Sequence, residues 1–450
     1  MRKKSKVHYC WVILVATCIM MSIGFGMCLN SVGVFLPFVA DSLGVTKGQV
    51  SYYMTIQGFG MIIGMYAAGK LIPRKNIKFL LSIASIIMAV CFFLLSTGTN
   101  LYYWYIIAIP LGISVAFIAP LPISILISNW FEKKRGFASG IAFAFSGITG
   151  SILSPLATKM IGTYGWQTTY RFYGLLALVF MLPTAIFLLE VTPEKKGLLP
   201  YGVDTSEVEK YAHDTKKVQK IIPVSYGTAL KDALHMPIFY TTILLAGFLS
   251  IGGGFSQQFP NHAVTMGLSP EIGSYLVSIC MMMQLIANVP LGMLCDKIGV
   301  RISATIYSGI GAAGALLLVF AGSSPLMYLG CAMYGIGICQ TMVVSPQVAR
   351  EIFGKKDYSQ INSIVMICFA LFGAFSHTVY ASIADFRGSY TVSLALAGIF
   401  YVVAIILVNF SCLKGRALME ANVQMEGKIV IENEASDSVP QSIIYGENVN

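Results

Sequence analysis

Long apolar runs alternate with short polar segments along the whole chain. An α-helix needs about 20 mostly apolar residues to cross the hydrocarbon core of a bilayer, and twelve runs are close to that length or exceed it. They lie at approximately 10–36, 49–71, 79–97, 102–128, 136–162, 168–190, 237–261, 271–294, 302–322, 325–348, 360–384 and 389–412. Barrel strands would instead alternate over about ten residues. The pattern therefore predicts an all-α integral membrane protein with twelve transmembrane helices.

The twelve runs fall into two groups of six. We expect an N-terminal six-helix half over residues 1–190, a cytoplasmic linker over 191–236 and a C-terminal six-helix half over 237–412. The remaining residues, 413–450, are polar and acid-rich, so they are expected to form a disordered cytoplasmic tail.

The loops that follow equivalent runs of the two groups resemble each other. GKLIPRKNIK (69–78) follows the second run and GMLCDKIGVR (292–301) follows the eighth, with glycine, leucine and basic positions matched at an offset of 223. WFEKKRG (130–136) follows the fourth run and matches IFGKKDY (352–358), after the tenth, at an offset of 222. Two matches at nearly one offset indicate two six-helix pseudo-repeats in parallel.

Composition agrees with a membrane protein. The 450 residues are 56% hydrophobic and 11% charged, with a mean hydropathy of +0.74, whereas about a quarter of the residues of a soluble domain are charged. The ten cysteines lie mostly inside apolar runs and form no CxxC pair. They are expected to pack as small hydrophobic side chains, so we predict neither a metal site nor a disulfide framework.

The formal net charge of +10 is distributed unevenly between the two sides of the membrane. If the N-terminus is cytoplasmic, the 30 Lys and Arg residues lie on the inner side except for Lys47, Lys159, Arg171 and Arg387. This bias is the positive-inside rule. It predicts that both termini are cytoplasmic and that no nucleic acid is bound. The first run is too long for a signal peptide and lacks a cleavage site, so we expect it to be retained.

The loop GMLCDKIGVR fits G-x-L-x-D-[RK]-x-G-x-[RK], the signature of the major facilitator superfamily, and the chain resembles that superfamily over nearly its whole length. The resemblance implies the major facilitator fold and a gating role for the loop. The implied gating residues are Gly292, Asp296, Lys297, Gly299 and Arg301, with Gly69 and Arg74 in the first-half copy. That copy has Pro73 where Asp is expected and Asn76 where Gly is expected, so the resemblance does not imply symmetric gating.

Two segments resemble the monocarboxylate transporter and oxalate–formate antiporter branches. They are HYCWVILVATCIMMSIGFGMCLNSVGVFLP in the first run and NWFEKKRGFASGIAFAFSGITGSILSPL, followed by GWQTTYRFYG, around the fifth. Monocarboxylate transporters handle carboxylate and proton with a Lys in the first helix and an Asp/Arg pair in the eighth. The matching positions here are Asn30, Gln284 and Asn288. Oxalate–formate antiporters use an Arg and a Lys that fall near Asn288 and Ala370. Every one of these charges is replaced by a neutral residue.

The amides at the matched positions have two possible roles. Gln284 and Asn288 are four residues apart and share one helical face, and each amide offers a donor and an acceptor. Together with Asn30 they would bind hydroxyls, amides or carboxylates without charge pairing. The alternative is interhelical hydrogen bonding, worth about 0.6 kcal/mol on average. Four further amides are weaker candidates for binding, with packing or gating the favoured role: Gln57, Gln257, Asn261 and Gln340.

Titratable groups are nearly absent from the middle of the runs. Every Asp, Glu, Lys and Arg lies in a loop, at a run end or in the tail, and His377 in the eleventh run is the one imidazole well inside. His377 is the expected proton carrier if transport is proton-coupled. The alternative is a neutral histidine bonded to a neighbour. In the fifth run, Gly136, Gly140, Gly147 and Gly150 are predicted to pack against other helices.

The resemblance implies a secondary transporter that moves a small organic solute by alternating access of two halves, with a monocarboxylate or related organic acid favoured. Because the relatives' cations are missing, a carrier or efflux pump for a neutral, zwitterionic or drug-like solute is the alternative. A solute receptor that does not transport is a more distant one. The sequence has no Walker loop, H-E-x-x-H or G-x-S-x-G motif, so we expect no enzyme activity and no cofactor.

The expected partners are a small-molecule substrate, the lipid bilayer, and a co-transported proton or an exchanged solute. We expect the chain to function as a monomer. The short outer loops favour a bacterial cytoplasmic membrane.

Overall fold

The chain folds almost entirely into helices. A computed structural model describes residues 8–45, 47–203, 220–223, 226–268, 270–321, 324–425, 429–432 and 443–445. The helices of the N-terminal half are α1 (Cys10–Ile19), α2 (Leu36–Leu43), α3 (Lys47–Leu71), α4 (Ile77–Leu95), α5 (Leu101–Ile118), α6 (Leu121–Trp130) and α7 (Arg135–Leu176). Helix α1 continues as π-helical turns through Met20–Asn30, and two further π-helical segments, Ala177–Met181 and Thr184–Leu188, follow α7.

The C-terminal half begins after the short helix α8 (Leu230–Ala233). Its helices are α9 (Pro237–Gly253), α10 (Phe259–Thr265), α11 (Pro270–Ile298), α12 (Val300–Phe320), α13 (Ser324–Phe353), α14 (Tyr358–Arg387) and α15 (Thr391–Lys414). The tail adds α16 (Arg416–Met425). Short 3₁₀ turns lie at Val32–Val34, Pro193–Lys196 and Gly254–Gln258.

These helices correspond to the twelve predicted spans. Helices α5 and α6 together form the fourth span, and α7 contains the fifth and the start of the sixth, divided at Gly165, where φ is +81°. Ten of the described helical segments are long and apolar enough to cross a membrane. Helix α3 and the first part of α7 are not among the ten, and they occupy the positions of the second and fifth predicted spans. The all-α membrane fold is thus confirmed.

Local sequence determines where two of the spans begin. Asn76 precedes α4, and its side-chain oxygen accepts the N–H of Lys78 at 3.0 Å. Asn100 does the same for Tyr102 at 2.9 Å, at the start of α5. Such caps satisfy N–H groups that have no partner inside the helix.

The two halves pack together mainly through α7 against α11 and α3 against α14. At the α7–α11 contact, a Cβ placed on Gly136 would overlap the carbonyl oxygen of Gly292, and a Cβ on Gly292 would overlap that of Gly136. Gly140 approaches the backbone of Asn288 in the same way, and Gly147 faces Leu285. The predicted packing role is confirmed for Gly136 and Gly140, because only a residue without a side chain allows this approach. At Gly147 a Cβ would make an ordinary contact with Leu285. The surroundings of Gly150 lie outside the described part.

The linker and the tail contribute a small antiparallel sheet. Strand β1 (Lys220–Pro223) pairs with β2 (Ile429–Glu432), and β2 pairs with β3 (Ile443–Tyr445). Helix α16 packs against α13. The structure therefore differs from the expected disordered tail wherever residues of 413–450 are described. The predicted boundaries of the halves and the linker stay predictions.

One end of the bundle carries the linker and the turns after α3, α6 and α13. We call it the basic end.

The α7–α11 contact gives a first prediction. Gly292→Ala introduces a methyl group against the Gly136 carbonyl, and such overpacking costs about 1–3 kcal/mol. We expect a lower melting temperature in detergent. The matched control is Gly309→Ala on α12, where a Cβ meets nothing within 4 Å; there alanine should be neutral or slightly stabilising. Equal melting temperatures for the two variants would show that the close approach is not needed.

Candidate functional site

Glu132, in the turn between α6 and α7, is the centre of an ion-pair network that joins the two halves. Its carboxylate lies 3.3 Å from Arg350 Nη2, at the end of α13, and 3.3 Å from Lys355 Nζ. Arg135, of its own half, lies 3.6 Å away. Glu132 is 7% exposed and Arg350 is 3% exposed. Because removing one partner of such a buried pair would leave a charge uncompensated, each residue of the network needs its partner while the halves are in contact.

Arg350 also donates from Nε to Ser128 Oγ at 2.8 Å. These two residues are 222 apart, which is the offset at which the loops of the repeat match. Equivalent positions of the two halves therefore touch each other here, as expected close to a two-fold axis. Burial lowers the pKa of Lys355, and the neighbouring Glu132 opposes that effect.

Asp296, predicted from the signature loop, makes the second polar contact between the halves. Its two carboxylate oxygens accept the N–H groups of Gly136 and Phe137, each at 2.8 Å. Those N–H groups belong to the first turn of α7, where they lack helical partners and where the helix dipole favours an anion. The equivalent turn of the first half has Pro73 instead of Asp, so it provides no carboxylate for a contact with helix N–H groups. Its Gly69 carbonyl instead accepts the hydroxyl of Ser359 on α14 at 3.2 Å.

The other predicted gating residues form no hydrogen bond or ion pair with the opposite half among the described residues. Arg301 donates from Nε to Asn409 on α15 at 2.9 Å, within its own half. Gly299, with φ at +85°, precedes α12. Lys297 and Arg74 are exposed.

A small polar cavity of about 40 Å³ lies beneath these contacts. Its lining includes Ser128, Ser139, Asp296, Gln347, Arg350 and Glu351. One water molecule needs roughly 10–15 Å³, so the cavity has room for a few waters and is too small for an organic solute. The described contacts between the halves close the basic end in this structure.

The amides matched to the relatives' charged residues lie at contacts between α7 and its neighbours. Asn30 is exposed, and its Nδ2 donates to the Ser146 carbonyl on α7 at 3.0 Å. Asn288 is 3% exposed at the α7–α11 contact, and its Oδ1 has no hydrogen-bond partner among the described residues. Gln284, one turn away on α11, is half-buried. The structure thus places Asn30 and Asn288 against α7, with Asn30 exposed and Asn288 buried, and Gln284 one helical turn from Asn288.

The weaker candidates are dispersed. Gln340 is fully buried on α13, and its Oε1 accepts the Ser308 hydroxyl of α12 at 3.0 Å, which is the packing role that the sequence favoured. Gln57 is fully buried on α3 beside α5. The backbone of Gln257, Asn261 and His377 is helical, but their side chains lie outside the described part.

The sequence did not predict two features of the structure. The first is the Glu132 network, whose only signal is a lone acid in a basic loop, with Gly354 at the equivalent position of the other half. The second is His262 on α10, just beyond the predicted seventh span. It is 2% exposed, lies among the rings of Phe255 and Tyr390, and neither ring nitrogen has a partner among the described residues. Burial lowers its pKa to about 4.

Comparison with known proteins agrees with this architecture. The family model described as Major Facilitator Superfamily matches residues 11–281 and 259–427. "MFS-type transporter 1" of Ophiocordyceps sp. is 24% identical over 73% of this chain and 68% of its own length. Human "Monocarboxylate transporter 12" is 23% identical over 64% of this chain, which spans only 58% of that relative.

Two solved structures share the fold at low identity. The proton:xylose symporter XylE, bound to 6-bromo-6-deoxy-D-glucose, superposes with a TM-score of 0.68 at 14% identity, over 88% of this chain and 94% of that one. FucP in the outward conformation gives 0.65 at 14% identity, over 90% of this chain and 99% of that one.

The ion-pair network predicts the effect of neutralising Glu132. In Glu132→Gln, Arg350 and Lys355 lose their shared carboxylate, and breaking a buried pair costs about 3–5 kcal/mol. We expect a clearly lower melting temperature. The control is Glu420→Gln on α16, whose pair with Arg416 is exposed and should contribute no more than about 1 kcal/mol. Similar melting temperatures for the two variants would contradict a cross-half role for Glu132.

His262, which lies outside the apolar segments of the neighbouring spans, predicts an acid sensitivity. Its folded pKa of about 4 lies below the ordinary value of 6.5, so the folded protein binds fewer protons between these values. Stability is therefore full above about pH 6.5 and falls by up to about 3 kcal/mol as the pH drops towards 4.

Melting temperatures measured from pH 7.5 to pH 4 test this expectation. His262→Phe should flatten the profile, whereas substitution of the exposed His235 by Gln should leave it unchanged. An unaltered slope in His262→Phe would assign the acid sensitivity to other groups.

Proposed function

The chain belongs to the major facilitator superfamily and is a secondary solute transporter, and we propose that it carries a small organic acid of the monocarboxylate class by alternating access. Its membership also identifies it as a multi-pass membrane protein and not an enzyme. The basic end would face the cytoplasm, in keeping with the positive-inside rule. Since the relatives compared include a fungal and a human protein, the expectation of a bacterial membrane rests on the short outer loops alone.

The observation that carries the proposal is the shut basic end. The halves meet there through ion pairs and a carboxylate on helix N–H groups, and water can replace these partners when the halves separate. A gate of this kind suits a carrier that opens alternately to the two sides. The cavity beneath it is too small for a solute, so this conformation would be the state closed to the cytoplasm.

The solute class is argued from the amides around α7. No Lys or Arg occurs in the middle of any span, so a bound carboxylate would have no fixed cation there. The buried Oδ1 of Asn288 is an acceptor without a partner among the described residues, and it suits a donor such as the O–H of a protonated carboxyl group. We infer that the acid binds in hydrogen-bonded, uncharged form, so its proton would travel with it. His377 remains a predicted alternative proton carrier.

The second candidate is a neutral or zwitterionic solute. It is favoured by the same amides, since hydroxyl and amide groups bind Asn and Gln equally well. The two candidates differ in their dependence on pH.

Thermal stabilisation by solutes distinguishes the candidates, because a ligand that binds only the folded state raises the melting temperature. The panel contains lactate and propionate, their amides, amino acids and neutral sugars, each compared with a solute-free sample at pH 5 and pH 8. We expect the monocarboxylates to stabilise most, and more at pH 5. Stabilisation by amides or sugars at both pH values would replace the organic acid with the neutral solute.

The site itself is tested with Asn288→Ala. Loss of one hydrogen bond of about 0.5–1.5 kcal/mol should weaken the apparent affinity for the stabilising solute up to about tenfold. Gln340→Met is the control, because that amide bonds to Ser308 within its own half and should not affect affinity. Equal affinities in both variants would remove Asn288 from the site.

A further inference from the structure

The linker between the halves is hydrogen-bonded to the two turns that carry Glu132 and Lys355. We call the cross-half contacts of these two residues and Arg350 the gate. At its start, the Tyr201 carbonyl accepts the N–H groups of Glu132 and Lys133 at 3.0 and 3.1 Å. At its end, the Tyr226 carbonyl accepts the N–H groups of Lys355 and Lys356 at 2.7 and 2.9 Å. We call each of these arrangements a clasp. In each clasp, one linker carbonyl accepts two successive N–H groups of a turn. The two turns follow equivalent helices of the repeat.

Each clasp is completed by a glycine that follows the tyrosine. Gly202 has φ at +98° and Gly227 has φ at +118°, which residues with a Cβ rarely adopt. A Cβ on Gly202 would lie 2.6 Å from Lys133 Cβ, and one on Gly227 would lie 2.7 Å from Gly354 Cα. Both glycines are therefore required for the chain to approach the turns closely.

The clasped residues are the ones that close the gate. Glu132 and Lys355 have their N–H groups held by the linker, and their side chains bond to each other across the halves at 3.3 Å. Arg350, the other cross-half partner of Glu132, lies with its guanidinium 5.0 Å from the centre of the Tyr226 ring. This is the range of a cation–π contact.

The tail reinforces the second clasp. Asn422 on α16 donates from Nδ2 to the carbonyl oxygens of Glu351 and Ile352, at 2.9 and 3.0 Å. These are among the last carbonyls of α13, which lack helical partners. The turn that carries Lys355 is thus fixed by the linker on one side and by the tail on the other.

We propose that the two Tyr-Gly clasps of the linker are positioning elements of the cytoplasmic gate, which hold Glu132 and Lys355 in the geometry that closes it. The clasps need not act by tension, because the 23 residues between Gly202 and Tyr226 reach about 80 Å when extended. They act locally, by fixing the backbone from which each charged side chain extends. The proposal rests on the alternating access proposed above.

Cys295 provides a readout that needs no solute. It lines the cavity under the gate and is buried while the gate is shut. In detergent-purified protein, a hydrophilic maleimide should modify it faster whenever the gate opens more often. Peptide mass spectrometry separates Cys295 from Cys28 and Cys331, which are buried away from the clasps, one in each half, and serve as internal references.

The test variants are Gly202→Ala and Gly227→Ala. The matched control is Gly197→Ala, in the same linker, where φ is also positive (+65°) but a Cβ meets nothing within 4 Å. We expect Cys295 to react at least threefold faster in both clasp variants than in the wild type and the control, with Cys28 and Cys331 unchanged. Glu132→Gln, which opens the gate directly, should give the same pattern.

Two results would overturn the proposal. Cys295 reacting in the clasp variants as it does in Gly197→Ala would show that the clasps do not hold the gate. A parallel rise at Cys28 and Cys331 would show that the clasps support only the fold. Neither result depends on which solute is carried, so failure of the solute panel and failure of the clasps are distinguishable.

Discussion

The exclusion of charge from hydrocarbon determines how this molecule is built. A charged side chain at the bilayer centre is costly, and backbone groups there must find partners inside helices. Every Asp, Glu, Lys and Arg of this chain accordingly lies at a span end, in a loop or in the tail. Ionic contacts between the halves can therefore form only at the ends of the bundle, and the Glu132 and Asp296 contacts are found there. Inside the bundle, the two halves contact each other through glycines and neutral side chains.

The two kinds of contact between the halves differ in how they respond to water. The glycine contacts between α7 and α11 depend on close backbone approach and are lost as soon as the helices separate. The ion pairs and helix-terminus contacts at the basic end exchange their partners for water, which limits the cost of separation. The halves are thus held firmly but reversibly, and the linker and tail fix the turns from which the ionic groups extend.

Sequence predicts the parts of this structure that depend on local pattern. Apolar length gave the spans, and loop similarity gave the repeat and the signature Asp296. The Glu132 network could not be predicted, because Glu132 and Arg350 are 218 residues apart and each resembles an ordinary solvated charge of a basic loop. Gln340 and Asn288 look alike in sequence, and only the position of Ser308 gives one of them a partner for its side-chain oxygen and leaves the other without one among the described residues. The clasps use backbone carbonyls, which leave little trace beyond a Tyr-Gly pair.

The contact between Ser128 and Arg350 has a consequence for the origin of the chain. If the two halves descend from one duplicated segment, these positions once held the same residue, and near the two-fold axis that residue faced its own copy. Two serines can share a hydrogen bond, whereas two buried arginines would repel each other. Arginine in one copy alone avoids that repulsion and lets the guanidinium pair with the carboxylate of Glu132 in the other copy. An asymmetric gate can thus arise from a symmetric ancestor by one substitution in each half.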